Sequence, residues 1–405
     1  MAFDHFWTLL FVWVYLPWLC RSTLLPDALD HPGEFNRVIS PAVFASLEEL
    51  ARVVDVSYCV GNTGIQKPFE CLSHCAELRG FELIASWNTG PLLSDSCGYV
   101  ALSHVPSSKR IVVAFRGTYS VANTIVDLSA YPQAYVPYDA GDGPGGGEQP
   151  SRCRNCTVHA GFMTSWQNTR ATVLRHVAAA REQFPEYELV LVGHSLGGAV
   201  ATLAGLEMRL RGWDPQVTTF GEPKVGNGDF ARFLDAAFGF HDDADADERG
   251  PDDRRWTFRR VTHARDPVPL LPLAKWGYEM HAGEMFISKV DLSPSPSDVV
   301  LCKGRNDSRC ISGSQAAQES ALREVRSLLM EGQRQPDWVY PADQAVLKPP
   351  TSGSQQHQQP QQSRFHWPWD RVPVRYRLWE LFFAHRDYFW RLGLCVPGGD
   401  PTGKG

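Results

Sequence analysis

The sequence has no basic stripe. Its 39 Lys and Arg residues are outnumbered by 45 Asp and Glu, which leaves a net charge of −6 at neutral pH. That balance excludes the cationic footprint of a nucleic-acid-binding protein. The ten cysteines include no two Cys-x-x-Cys pairs at zinc-site spacing, so they do not read as metal ligands. The acidic stretch His241 to Asp253 lacks the spaced oxygen ligands of a calcium loop and reads as a solvated loop. Long apolar runs are few too: the segment Phe6 to Leu19 is short for a membrane span. Neither a metal nor a cofactor is expected.

What is present points to an oxidising compartment. The apolar segment is followed by Cys20-Arg21-Ser22 and has the length of a signal peptide's apolar part. Asp4 and His5 stand where basic residues usually precede it, which leaves a retained anchor as the alternative. The expectation is a signal peptide over 1–22 and a secreted, extracellular protein. Nine cysteines then remain. Cys71 with Cys75, Cys153 with Cys156 and Cys302 with Cys310 suggest themselves as local pairs, Cys59 could bridge to Cys395, and Cys97 is left over. The sequence alone leaves the connectivity open. On the loop-entropy model a Cys59–Cys395 bridge would be worth roughly 4–5 kcal/mol and the short bridges less. Two sequons, at Asn155 and Asn306, fall between these proposed pairs and are glycosylation candidates.

With 405 residues, 43% of them apolar and 11% aromatic, the chain can bury one large core. We expect one domain over 23–397, a glutamine-rich low-complexity insert at about 332–363 and a tail over 398–405. Ser40-Pro41 followed by Phe44, Leu47, Leu50, Val54 and Tyr58 predicts a capped amphipathic helix. Tyr99 to Leu102 and Arg110 to Phe115 read as strands, and Phe162 to Gln183 as a long helix. A strand from Glu188 to Val192, a helix to about Arg211, and strands at Gln216 to Phe220 and Trp256 to Thr262 follow. Strands alternating with helices predict an α/β fold, with a mostly parallel central sheet and helices on both faces.

The most informative segment is Gly193-His-Ser-Leu-Gly197, set between an apolar strand and the small-residue run Gly198 to Ala204. That is the layout of a nucleophile elbow, in which a strained strand-to-helix turn lifts a serine hydroxyl above the sheet edge. A serine hydroxyl is a poor nucleophile until a base takes its proton, and the base needs an acid to hold its tautomer. In folds with this elbow the chain order is Ser, acid, His. Asp266, just past a strand and followed by Pro267, is the best acid after Ser195. His281, His366 and His385 are the candidate bases; His385, near Cys395, is preferred, and His194 reads as a packing residue. The oxyanion hole needs two donors. The amide of Leu196 supplies one, and Thr118, after Phe115-Arg-Gly117, the other.

Phe115-Arg-Gly-Thr118, Val158-His-Ala-Gly-Phe162, Gly193-His-Ser-Leu-Gly-Gly198, Phe220-Gly-Glu-Pro-Lys-Val-Gly-Asn227, Asp266-Pro-Val-Pro269 and His385-Arg-Asp-Tyr-Phe389 occur in that order. Together they resemble the class 3 (fungal-type) lipases, over roughly 40–310 and 370–397. The resemblance implies an α/β-hydrolase fold with a lid, a Ser195–Asp266–His385 triad and a Thr118–Leu196 hole. It implies a lid starting over Tyr119 to Leu128, with Val121, Ile125, Val126 and Leu128 covering the acyl groove, and Asp127 as a buried structural acid; a core-facing helix without a moving lid is the alternative for the same apolar residues. The chain departs from that pattern at Thr124, where many relatives carry tryptophan, and in the long stretch from Cys310 to His385. The implied activity is a secreted triacylglycerol lipase, monomeric and without a protein partner, acting on acylglycerols or other esters at a lipid–water interface. A feruloyl-type or other soluble-ester esterase is the alternative on the same fold. A catalytically silent lipid-binding protein is the alternative outside the enzymes.

Overall fold

The computed structural model describes residues 38–90, 95–118, 132–135, 153–240, 257–314 and 383–396. The expected leader over 1–22, the lid segment Tyr119 to Leu128, His366, the insert at 332–363 and the tail over 398–405 lie outside these residues.

Ser40 caps the first helix, α1 (Pro41–Val56), by accepting the Val43 amide on its Oγ at 3.3 Å, and Pro41 opens the first turn. Then come β1 (Phe81–Asn88), β2 (Cys97–Ser103), β3 (Arg110–Phe115), β4 (Pro132–Ala134) and β5 (Thr157–His159). The long helix α2 (Ala160–Gln183) leads to β6 (Glu188–His194), α3 (Leu196–Leu210), β7 (Gln216–Phe220), β8 (Gly226–Asn227) and α4 (Gly228–Ala237). The last strands are β9 (Phe258–His263), β10 (Tyr278–Glu279), β11 (Glu284–Ile287) and β12 (Val299–Leu301).

Eight strands form the main sheet in the order β1-β2-β3-β6-β7-β9-β11-β12. Its centre, β3 to β11, is parallel, and antiparallel strands flank it on both sides. A small second sheet runs β10-β8-β5-β4. Parallel central strands are covered on both faces, so they read as unbroken apolar runs. The side chains of β3 and β6 divide accordingly. Ile111, Val113, Phe115, Leu189 and Leu191 join the core shared with α2, α3 and α4. Val112, Ala114, Val190 and Val192 join the opposite core, with α1 and with Tyr388, Phe389 and Leu392 of the C-terminal segment. The sheet thus has helices on both faces, and the C-terminal segment packs on the α1 side.

The parallel register brings the ends of β3, β6, β7 and β9 to one edge, where strand-following loops gather in α/β sheets. Phe115 pairs with Gly193, His194 with Phe220, and Phe220 with Val261. The three loops that carry Thr118, Ser195 and Asp266 leave from this edge.

Candidate active site

The turn between β6 and α3 is built by its glycines. A Cβ on Gly193 would sit 2.1 Å from the Gly197 carbonyl oxygen, and one on Gly197 would sit 2.3 Å from the Phe115 oxygen. Strand and helix can therefore pass this closely only if both positions lack side chains. Between them Ser195 takes φ 58° and ψ −129°, a conformation that L-residues rarely adopt and that the surrounding turn enforces. Its amide donates to the Phe220 oxygen at 2.9 Å, and its carbonyl accepts from Gly198 at 2.9 Å. Leu196 is the first residue of α3, so its N–H has no acceptor within the helix and lies at the positive end of the helix dipole. Thr118 follows β3; one residue earlier, a Cβ on Gly117 would lie 2.8 Å from the Ser195 Cβ. The strand end that carries Thr118 therefore abuts the serine.

Asp266 sits in a tight turn after β9, its amide bonded to the His263 oxygen at 3.0 Å. Three donors converge on its carboxylate. His385 Nδ1 lies 2.9 Å from both oxygens, the Tyr388 hydroxyl donates to Oδ2 at 2.6 Å, and the Val268 amide donates to Oδ1 at 2.9 Å. Because a carboxylate only accepts, the His385 proton is placed on Nδ1 and the lone pair on Nε2. Nε2 is buried and has no hydrogen-bond partner among the described residues. Burial, reinforced by the neighbouring Asp266 carboxylate, holds the Tyr388 phenol well above its ordinary pKa, so it remains a donor. Asp266 is 1% exposed, His385 1% and Ser195 2%, so the three groups lie out of contact with bulk water.

The segment carrying His385 is tied to distant parts of the chain as well as to itself. Cys395 is bonded to Cys59, 336 residues earlier. The Gly393 amide donates to the Asp55 carboxylate at the end of α1, which also accepts the Ser73 hydroxyl at 2.5 Å. Arg386 Nη1 donates to the Leu392 and Gly393 oxygens, and its guanidinium lies 5.2 Å from the centre of the Tyr58 ring. Burial raises the Asp55 pKa, an effect that the Ser73 and Gly393 hydrogen bonds oppose.

Six further cysteines close local loops. Cys71 is bonded to Cys75, Cys153 to Cys156 and Cys302 to Cys310, and Cys97 is a buried free thiol. Glu284 lies beside Cys302 and Cys310, but their disulfide removes the thiolates that a metal would need. Asn155 and Asn306, the two sequon asparagines, are both exposed.

Two histidines weighed in the sequence have other partners. His281 Nε2 faces Glu222 at 3.1 Å and its Nδ1 faces the Ala282 oxygen at 2.8 Å, so it belongs to a polar layer behind the site. In that layer Glu222 also accepts from Thr202 and Thr219, at 2.7 and 2.5 Å. His194 is a packing residue in the sense that it is 1% exposed, but both its nitrogens are engaged, with Tyr58 and with the His385 carbonyl. Sequence reasoning missed Tyr388, Tyr58 and Asp55. Tyr388 stood inside a quoted motif, yet nothing local indicates that its hydroxyl reaches a carboxylate 122 residues away.

Residues 112–276 match the family model described as lipase (class 3). The secreted mono- and diacylglycerol lipase 2 of Gibberella zeae is 47% identical over 96% of this chain and 92% of its own length. Lipase A of Sodiomyces alcalophilus is 49% identical over 91% of this chain and 85% of its own. Among solved structures, the Lip2 lipase of Yarrowia lipolytica superposes with a TM-score of 0.61 at 34% identity, covering 69% of this chain and 91% of that one. With a strand–serine–helix turn, an adjoining Asp–His pair and relatives matched over nearly their whole length, the chain belongs to the class 3 lipase family.

Proposed function

We propose that this protein is a secreted serine lipase that hydrolyses the carboxylic esters of acylglycerols through an acyl-enzyme on Ser195. The observation that carries the reading is the buried Asp266–His385 pair beside the elbow, with Nδ1 held by both carboxylate oxygens and Nε2 left as the free lone pair. His385 Nε2 takes the Ser195 proton as Oγ attacks the acyl carbon. The oxyanion that forms is held by the Leu196 amide and by Thr118, each such donor being worth about 10²–10³ in rate. As the tetrahedral adduct collapses, the imidazolium passes its proton to the departing glyceryl oxygen, and the acyl group stays on Ser195. Water then attacks the acyl-enzyme, giving its proton to His385. The second adduct breaks to the free fatty acid, and the proton returns to Ser195.

The names of the relatives narrow the substrate class. One is a secreted mono- and diacylglycerol lipase, so partial glycerides belong in the tested set beside triglycerides. We assign the leader to 1–22, the catalytic domain to 23–397 with its insert at 332–363, and N-glycans to the exposed Asn155 and Asn306. The enzyme is read as a monomer working at a lipid–water interface. Hydrolysis of tributyrin across its solubility limit, by the parent and by Ser195→Ala, tests the whole reading. A jump in rate at the emulsion threshold that disappears in the variant supports a serine lipase. Saturation without a jump moves the activity to soluble esters, and full activity in the variant removes Ser195 as nucleophile.

A further inference from the structure

Three pieces of the site come from separate parts of the chain: the hole loop after β3, the elbow after β6, and the C-terminal segment with the base. One side chain touches all three. The Tyr58 hydroxyl lies 2.5 Å from His194 Nδ1. It also takes a backbone hydrogen bond from Gly117, and a Cβ on Gly117 would stand 2.5 Å from it. His194 Nε2 in turn lies 2.9 Å from the main-chain oxygen of His385. We propose that Tyr58 and His194 are positioning residues for the reaction: a single directed hydrogen-bond chain, Gly117 to Tyr58 to His194 to the His385 carbonyl, sets the base relative to the nucleophile and the hole. The proposal rests on the reading of Ser195, His385 and Asp266 as the triad.

The direction of the chain follows from its ends. A carbonyl only accepts, so His194 Nε2 carries the proton and donates to His385. A neutral imidazole then has Nδ1 free to accept, and the Tyr58 O–H points into it. Tyr58 is 0% exposed and His194 1%, so neither group can exchange its partner for water. Hydrogen bonds in such a chain polarise one another, and removing one member loosens the rest.

The chain also fixes the charge beside the base. The His194 and His385 rings stack at 4.6 Å between centroids, with an interplanar angle of 31°. During catalysis His385 becomes an imidazolium, and a second cation at that distance would oppose its formation. Burial, and then His385 itself, push the His194 pKa well below the ordinary value, so the neighbour stays neutral. Burial raises Tyr58 to about 12, which keeps it protonated as the donor. His194 therefore presents a neutral face to the base while gripping its backbone.

The test begins with titration of the parent by an organophosphonate. If Ser195 is not labelled, the triad reading fails, whatever Tyr58 does. Given labelling, Tyr58→Phe keeps the ring and removes the donor. On a soluble short-chain ester we expect kcat per titrated site to fall about tenfold, the worth of one buried hydrogen bond, with KM unchanged. The downfield proton resonance of His385 Nδ1 should shift or broaden in the same variant. His194→Gln, whose amide can still donate to the His385 carbonyl, should recover to within about threefold of the parent, whereas His194→Leu should lose at least as much as Tyr58→Phe. The double variant Tyr58→Phe/His194→Leu should lose little beyond His194→Leu alone, since both remove the same chain. Parent-like kcat per titrated site in Tyr58→Phe, with the His385 resonance in place, overturns the proposal. It is equally overturned if His194→Gln and His194→Leu lower the thermal midpoint and the number of titratable sites but leave kcat per site intact, because the two residues then act on folding alone.

Discussion

The serine and the histidine of this site are held in opposite ways. Ser195 stands in a turn made largely by neighbours in sequence: Gly193 lets strand and helix approach closely, and the Gly198 amide at the start of α3 holds its carbonyl, while its own amide reaches across to the Phe220 oxygen of β7. His385 stands on a short C-terminal segment whose links to the sheet come from remote positions, in Cys59, Asp55, Tyr58, His194 and Asp266. A catalytic group set by local geometry is rigid as soon as the strand and helix form. One set by tertiary contacts is only as firm as those contacts, so the base side is where the site should be most open to damage at a distance.

The largest effect should come from the chemistry itself, where the two sides are equal. Ser195→Ala should lose about 10⁴–10⁶ in kcat, and Asp266→Asn about 10⁴ through the wrong His385 tautomer, both with the thermal midpoint nearly unchanged. Steady-state kinetics together with thermal melts check this. A parent-like Asp266→Asn would break the assignment of the acid.

The next effect separates the sides. Replacing both Cys59 and Cys395 by Ala should cost about 5 kcal/mol of stability or more on the loop-entropy model, while the Cys71–Cys75 double variant costs less. Denaturant unfolding reads the difference, and activity should fall before the helical circular dichroism of the main domain does. Simultaneous loss of both would show that the C-terminal segment and the sheet unfold as one unit.

Smaller again is Tyr388→Phe. It deletes one of the three donors on Asp266, and a loss of about tenfold in kcat is expected with KM unchanged. The smallest prediction is a pH effect on stability. Burial lowers the pKa of His194 and of His263 from the ordinary 6.5, so the unfolded chain binds protons that the folded chain refuses. Stability should therefore decline as pH falls through about 6.5 and be restored above it. Thermal midpoints measured from pH 8 to 5 test the sign, and His263→Gln should flatten part of the slope.

Much of this architecture was readable in the sequence, and the exceptions have physical causes. The parallel core strands β3 and β6 carry continuous apolar runs, and α1 announces itself by Ser40-Pro41 and its apolar spacing. The sequence reading overlooked β1. A register shift between Leu83 and Ala85 breaks its alternation, and its exposure pattern is correspondingly irregular. The second sheet was also missed, because its strands are only two or three residues long and too short to show any period. Within the site, Ser195, Leu196 and Thr118 could be named from contiguous motifs. Preferring His385 to His281 rested on its place in the chain, and what no local pattern shows is that His281 faces Glu222 while His385 faces Asp266.

By itself the sequence determined the elbow and the α/β alternation, and it offered Ser195, Asp266 and His385 in chain order as candidates. Glycine spacing, apolar runs and chain order are local properties that neighbouring residues impose on one another. Only the tertiary structure decided which histidine meets the aspartate, that Tyr388 is the acid's second partner, and that Tyr58 joins the hole loop to the elbow. Those pairings join residues tens to more than a hundred positions apart, and they depend on sheet register and on a disulfide across 336 residues bringing together side chains with no signal of one another along the chain.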